Sequence, residues 1–105
     1  MSTYSIIRQA ISDMHQITGM YDGYYREMCP HAIGTKNGKE QVLVYQFAGD
    51  TSKGPVCDPK SKQNWRCLEV SKLIDVKVKA GQWHTADNHR AASTCVDHID
   101  VEVRF

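Results

Sequence analysis

The chain has 105 residues, with 13 Lys and Arg against 12 Asp and Glu and a formal net charge of +1. That length makes one domain with one modest core, burying about two-thirds of the unfolded surface. So even a balance excludes a global electrostatic attraction to nucleic acid or to a membrane surface. No apolar run approaches the roughly 20 residues of a membrane span. The opening residues, MSTYSIIRQAISDMHQ, lack the basic start and unbroken apolar run of a signal peptide. The expected address is therefore the cytoplasm, and Cys29, Cys57, Cys67 and Cys95 are expected as reduced thiols. They form no CxxC pair, so no metal site is expected from them.

Ser2-Thr3 offers a helix N-cap. Ile6, Ile7, Ala10, Ile11 and Met14 then recur at helical spacing and predict an amphipathic helix from about Thr3 to His15, with its apolar stripe on a sheet. Asp22-Gly23 and Lys36-Asn37-Gly38 are hairpin turn signals, because Gly, and to a lesser degree Asp and Asn, tolerate positive φ. Pro30 has no N–H to give a ladder, so the second strand is expected to bend or reach an edge there. Gln41 to Phe47 is the most β-prone run. Val42, Val44 and Gln46 fall on one face and Leu43, Tyr45 and Phe47 on the other, which predicts a central, covered strand.

Gly49 to Gln63 reads as a mobile loop of about fifteen residues. Asn64 to Val70 alternates as a strand. Ser71 to Leu73 suggests a tight turn, and Ile74, Val76 and Val78 make one face of a further strand. Gln82 to Ser93 is polar and reads as a loop or short helix. Ile99, Val101, Val103 and Phe105 alternate with Asp100, Glu102 and Arg104, the pattern of a half-buried strand whose solvent face is acidic. The fold class is therefore α+β.

The order of features is distinctive: the helix with Ile6 to Ile11, Tyr21, Arg26 just after the hairpin, Pro30-His31, Tyr45-Gln46, then Trp65-Arg66 with Leu68 and Leu73-Ile74. From Ser5 to Val78 this order resembles the WYL domain family, small SH3- or Sm-like β-barrels of bacterial transcriptional regulators and phage-defence systems. The Trp-Tyr-Leu tripeptide that names the family is absent, and no helix-turn-helix precedes the match. The resemblance thus implies a divergent, standalone WYL-like domain over residues 1–105. Its fold would be an N-terminal helix packed on a small, strongly bent antiparallel sheet or SH3/Sm-like barrel. It also implies a non-enzymatic, ligand-sensing regulatory module. A basic and aromatic pocket of Tyr21, Arg26, His31, Tyr45, Gln46 and Arg66 would bind an anionic, nucleotide- or nucleic-acid-like effector, with no cofactor.

The residue types suit that role. Arg26 and Arg66 carry planar forks of donors that match phosphate. His31 and Gln46 can read hydrogen-bonding edges, and tyrosines can stack on bases. Each has a plain alternative: arginines paired with Glu27 or Glu69, a histidine capping a strand, tyrosines in cross-strand pairs. Cys29 and His31 share one strand without a third group to orient them, so catalysis is not expected. His84, His89, His98 and Cys95 match no metal-ligand spacing. A second class of function is a protein-interaction module, homo- or hetero-oligomerising through a β edge and the acidic C-terminal strand.

Overall fold

The structure is a computed structural model that describes residues 2–51, 54–55, 65–81 and 96–103. Its elements are a helix α1 (Thr3–Asp13) and strands β1 (Gln16–Tyr21), β2 (Tyr24–Lys36), β3 (Lys39–Thr51), β4 (Gly54–Pro55), β5 (Trp65–Glu69), β6 (Ile74–Lys79) and β7 (His98–Glu102). A 3₁₀ turn, Val70–Lys72, joins β5 to β6. The expected loop at Gly49 to Gln63 is thus partly strand, in β3 and β4, and its remainder lies outside the described residues. The loop or helix expected at Gln82 to Ser93 also lies outside them.

Ser2 caps α1 as its sequence suggests: the Ser5 amide donates to the Ser2 hydroxyl at 3.1 Å. Ile7, Ala10 and Ile11 are buried, and Tyr4 packs against the same cluster. Met14 departs from the expected stripe. It is the C-cap residue, left-handed at φ 53°, and is 37% exposed. The change of backbone conformation turns its side chain off the helical face. The helix is also held by its solvent side. The Tyr4 hydroxyl donates to Asp100 Oδ2 on β7 at 2.7 Å, and Arg8 Nε donates to the same oxygen at 3.2 Å. Burial and the Asp100 carboxylate push the Tyr4 hydroxyl up to about 12, while the bond from Tyr4 holds Asp100 below the usual carboxylate range.

Both hairpin signals are realised. Asp22-Gly23 and Asn37-Gly38 have φ of 53° and 80°, and 53° and 79°, the two positive values of a tight primed turn. All strand pairs are antiparallel. The sheet runs β4–β3–β2–β1–β6, with β5 also on β3 and β7 also on β2. Pro30 marks a handover on β2. The β1 ladder stops at Met28 and the β7 ladder starts at Ala32, with a bulge between Pro30 and Ala32 on the β3 side. A residue without an N–H sits where one neighbour ends and the next has not begun. β3 is central and longer than expected, because its C-terminal half pairs on with Glu27, Arg26 and β4.

The sheet has to bend. A flat path from β5 across β3, β2 and β1 to β6 spans four strand spacings, about 19 Å. The link from Glu69 to Ile74 includes a 3₁₀ turn and reaches only about 14 Å. The two ends are drawn together, and the Glu69 amide at the end of β5 donates to the hydroxyl of Tyr21 on β1 at 3.2 Å. Bulges in the β1–β6, β2–β3 and β2–β7 ladders supply curvature. Among the described residues no ladder joins β5 to β6, so the sheet is curled but open, and a closed barrel is not formed. The concave face holds the main core of α1, Ile17, Met28, Ile33, Val42, Val44, Leu68, Val70 and Leu73. The expected apolar stripe of β6 is only partly used: Val76 packs on this core, while Ile74 is 61% exposed. Asp75 at φ 55° lies in a register shift that takes Ile74 out of line.

No helix among the described residues is long and apolar enough to cross a membrane. The cysteines depart from expectation. Cys29 is a buried thiol, but Cys67 on β5 is disulfide-bonded, with its partner outside the described residues. A disulfide between distant positions leaves no spacing signature, so the sequence did not announce it. Gln41 Oε1 lies 3.0 Å from Cys67 Sγ. A disulfide sulfur has no proton, so this is a polar contact rather than a hydrogen bond. Thiol titration under denaturing, non-reducing conditions should count two thiols, rising to four after reduction; four before reduction would contradict the disulfide.

Candidate functional site

Strand alternation sorts the six candidate residues onto two faces. Val44 and Val42 of β3 point into the main core, so Gln46 does too. Cross-strand partners share a face, which places Arg66 beside Val44 and Met28 beside Gln46 on that side. Leu43 belongs to a smaller cluster with Ala32, Val96 and Trp65 on the opposite face, and Tyr45 pairs with Trp65 there.

On the helix-covered face, Arg26 is the centre of a buried polar group. It is 4% exposed. Its guanidinium lies over the rings of Tyr21 at 5.2 Å and Tyr24 at 5.8 Å, within reach of a cation–π attraction. One terminal nitrogen donates to Gln46 Oε1 at 3.3 Å. Gln46, fully buried, donates from its amide nitrogen to the Ala48 carbonyl at 3.1 Å and the Asp50 carbonyl at 2.9 Å. Gly49 permits this crowding: at φ 91°, a Cβ there would collide with the backbone of Tyr25 and Arg26. The Nε of Arg26 is buried with no hydrogen-bond partner, and no carboxylate forms an ion pair with the guanidinium among the described residues. Burial, and the nearby positive charge of Arg66, pull the Arg26 guanidinium below its ordinary value. Arg66 is half-buried, and one of its terminal nitrogens donates to the Trp65 carbonyl at 3.0 Å.

His31 and Tyr45 are elsewhere. Tyr45 is fully buried and meets Trp65 edge-on at 5.2 Å; His31 meets the same indole at 4.6 Å. His31 Nδ1 lies 2.8 Å from the Cys29 carbonyl. Only an N–H can donate there, so Nδ1 carries the proton. These two residues form an aromatic packing cluster across the sheet from Arg26. The structure therefore brings together Tyr21, Arg26, Gln46 and Arg66, adds Tyr24, and separates His31 and Tyr45 from them. Tyr24 was legible from its position two residues before Arg26 on one strand. The separation of His31 was legible too, since it stands an odd number of residues from Arg26 along β2 and alternation puts it on the other face.

Among the described residues no three His, Cys, Asp or Glu side chains are grouped to hold a metal ion. No family model matches this chain, and no curated protein or solved structure matches it either.

Gln46→Leu should cost about 2–3 kcal/mol, because it strips the buried Arg26 guanidinium of its acceptor and removes the bonds to the Ala48 and Asp50 carbonyls. Urea denaturation reads this directly. An unchanged midpoint would show that the Gln46 bonds do not hold this end of the sheet.

Proposed function

We propose that this domain is a non-enzymatic, WYL-like module that binds an anionic, nucleotide- or nucleic-acid-like effector at the Arg26–Arg66 cluster, in the service of regulation or defence. The observation that carries it is the buried Arg26 guanidinium, with an unsatisfied Nε and no ion pair among the described residues, beside a second arginine. A buried cation without a counter-ion is costly. An anion completes the site by supplying both the missing acceptor and the missing charge. Arg66, less buried, is its outer contact and Arg26 its inner one. Because Arg26 is nearly enclosed, the ligand enters with rearrangement of Tyr24, which is half-buried at the hairpin end. Tyr21 and Tyr24 then offer π faces to a base.

The strand order, with its 3₁₀ link before β6, is in keeping with the SH3/Sm-like part of the WYL resemblance, as an open relative of such barrels. His31 and Tyr45, which that resemblance also implied, take no part in this site. Reduced thiols were expected as a consequence of a cytoplasmic address; the Cys67 disulfide runs against that address, since disulfides persist in oxidising compartments.

A thermal-shift screen against nucleotides, cyclic dinucleotides and short oligonucleotides at low salt should find a stabilising anion whose effect fades as salt rises. Arg66→Ala should weaken that binding by about 1–3 kcal/mol and leave the unliganded melting temperature nearly unchanged. No stabilising anion, or equal binding by the variant, would overturn the reading.

A further inference from the structure

Two sheet edges carry opposite charge on the same alternating pattern. β6 reads Ile74-Asp75-Val76-Lys77-Val78-Lys79, and β7 with its neighbour reads His98-Ile99-Asp100-Val101-Glu102-Val103. β6 pairs with β1 along one edge and β7 with β2 along one edge; among the described residues no strand pairs along the other edge of either. Both leave large apolar side chains in solvent, Ile74 and Val78 on β6 and Ile99 on β7. Exposed, apolar, unpaired strands are the usual route to edge-to-edge association.

The β7 edge also has depth. A groove of about 570 Å³ runs between Ile11 of α1, with its C-cap Met14, and the consecutive residues from Ile99 to Val103. Alternate side chains of a strand point to opposite faces, so five residues in a row line a cavity only along an edge. The Val103 amide donates to the His31 carbonyl at 2.8 Å. Amides alternate in direction along an antiparallel strand, so Glu102 turns its N–H and C=O towards the open side.

We infer that the occupant of this groove is β6 of a second copy of the chain. Strand addition would give the amide of Glu102 a partner. The Val76/Val78 side of β6 would extend the Ile99/Val101/Val103 side of β7. Lys77 and Lys79 would then fall on the side of Asp100 and Glu102, making opposite-charge cross-strand pairs. Lys79 now reaches Glu27 at 3.6 Å with most of its side chain in solvent, and Arg8 meets Asp100 at 3.2 Å. Both are surface pairs that cost little to share. Because β6 and β7 are different surfaces, the contact is head-to-tail. Each added copy presents a further open edge until a ring closes.

Sedimentation of the full chain at low salt should show species larger than a monomer, and these should dissociate as salt rises. Lys77→Glu and Glu102→Lys lie on exposed positions, so circular dichroism should find both folded. Each alone should weaken association about tenfold or more. Mixing the two variants should restore it, because the reversed β6 of one then fits the reversed β7 of the other. A parent that stays monomeric overturns the inference, as do assemblies that ignore both reversals or a mixture that fails to recover. None of these readouts depends on an anionic ligand at Arg26.

Discussion

The link between β5 and β6 is too short for a flat sheet, and most of the structure follows from that constraint. Four residues, three of them in a 3₁₀ turn, join strands at opposite ends of the sheet path. The sheet curls to meet this limit, and the curl creates the concave face that α1 and Leu68, Val70 and Leu73 fill. Tyr21 works at the seam, where its hydroxyl accepts the Glu69 amide across the gap between β1 and β5. Its ring lies over Arg26, so the residue that holds the ends together also forms one wall of the polar group.

The same bend explains why Arg26 is buried. On a flat sheet the last residues before the Asp22-Gly23 turn and the first after it would lie at a solvated end. Here the end of β3 pairs alongside, with Gly49 opposite Arg26 and Ala48 opposite Glu27, and the left-handed Gly49 lets it pass close to that strand. The guanidinium is enclosed by two tyrosines and a glutamine whose other bonds go to the backbone at the end of β3. Two aromatic faces and one amide oxygen soften the burial of a charge but do not neutralise it. A wholly structural role would have been met at lower cost by an apolar side chain of similar volume.

Local features of the fold were legible in the chain. The Ser2 cap, both Gly-containing turns, the covered strand around Val44 and the break at Pro30 depend on single-residue chemistry that sequence displays. Features set by distant partners were not. Met14 left its stripe because the helix ended two residues early; Ile74 left its face because Asp75 sits in a register shift. The candidate site divided for a different reason. Alternation along β3 always put Gln46 and Tyr45 on opposite faces, and alternation along β2 did the same to Arg26 and His31, so a set gathered by order along the chain could not stay whole in space. Cys67 shows the limit most plainly, since nothing near it in sequence marks its disulfide.

The central claim is that Arg26 is held for an anion and not for the fold. Arg26→Met keeps most of the volume, places a sulfur against Tyr21 and Tyr24, and removes the charge. Chemical denaturation of this variant, with and without the stabilising anion of the parent, tests the claim most directly. The account predicts a loss without ligand no larger than the roughly 1–3 kcal/mol of leaving Gln46 Oε1 without its donor, and no further gain when the anion is added. A loss of several kcal/mol without ligand, or an undiminished gain with it, would contradict the account and make Arg26 a strut of the bent sheet.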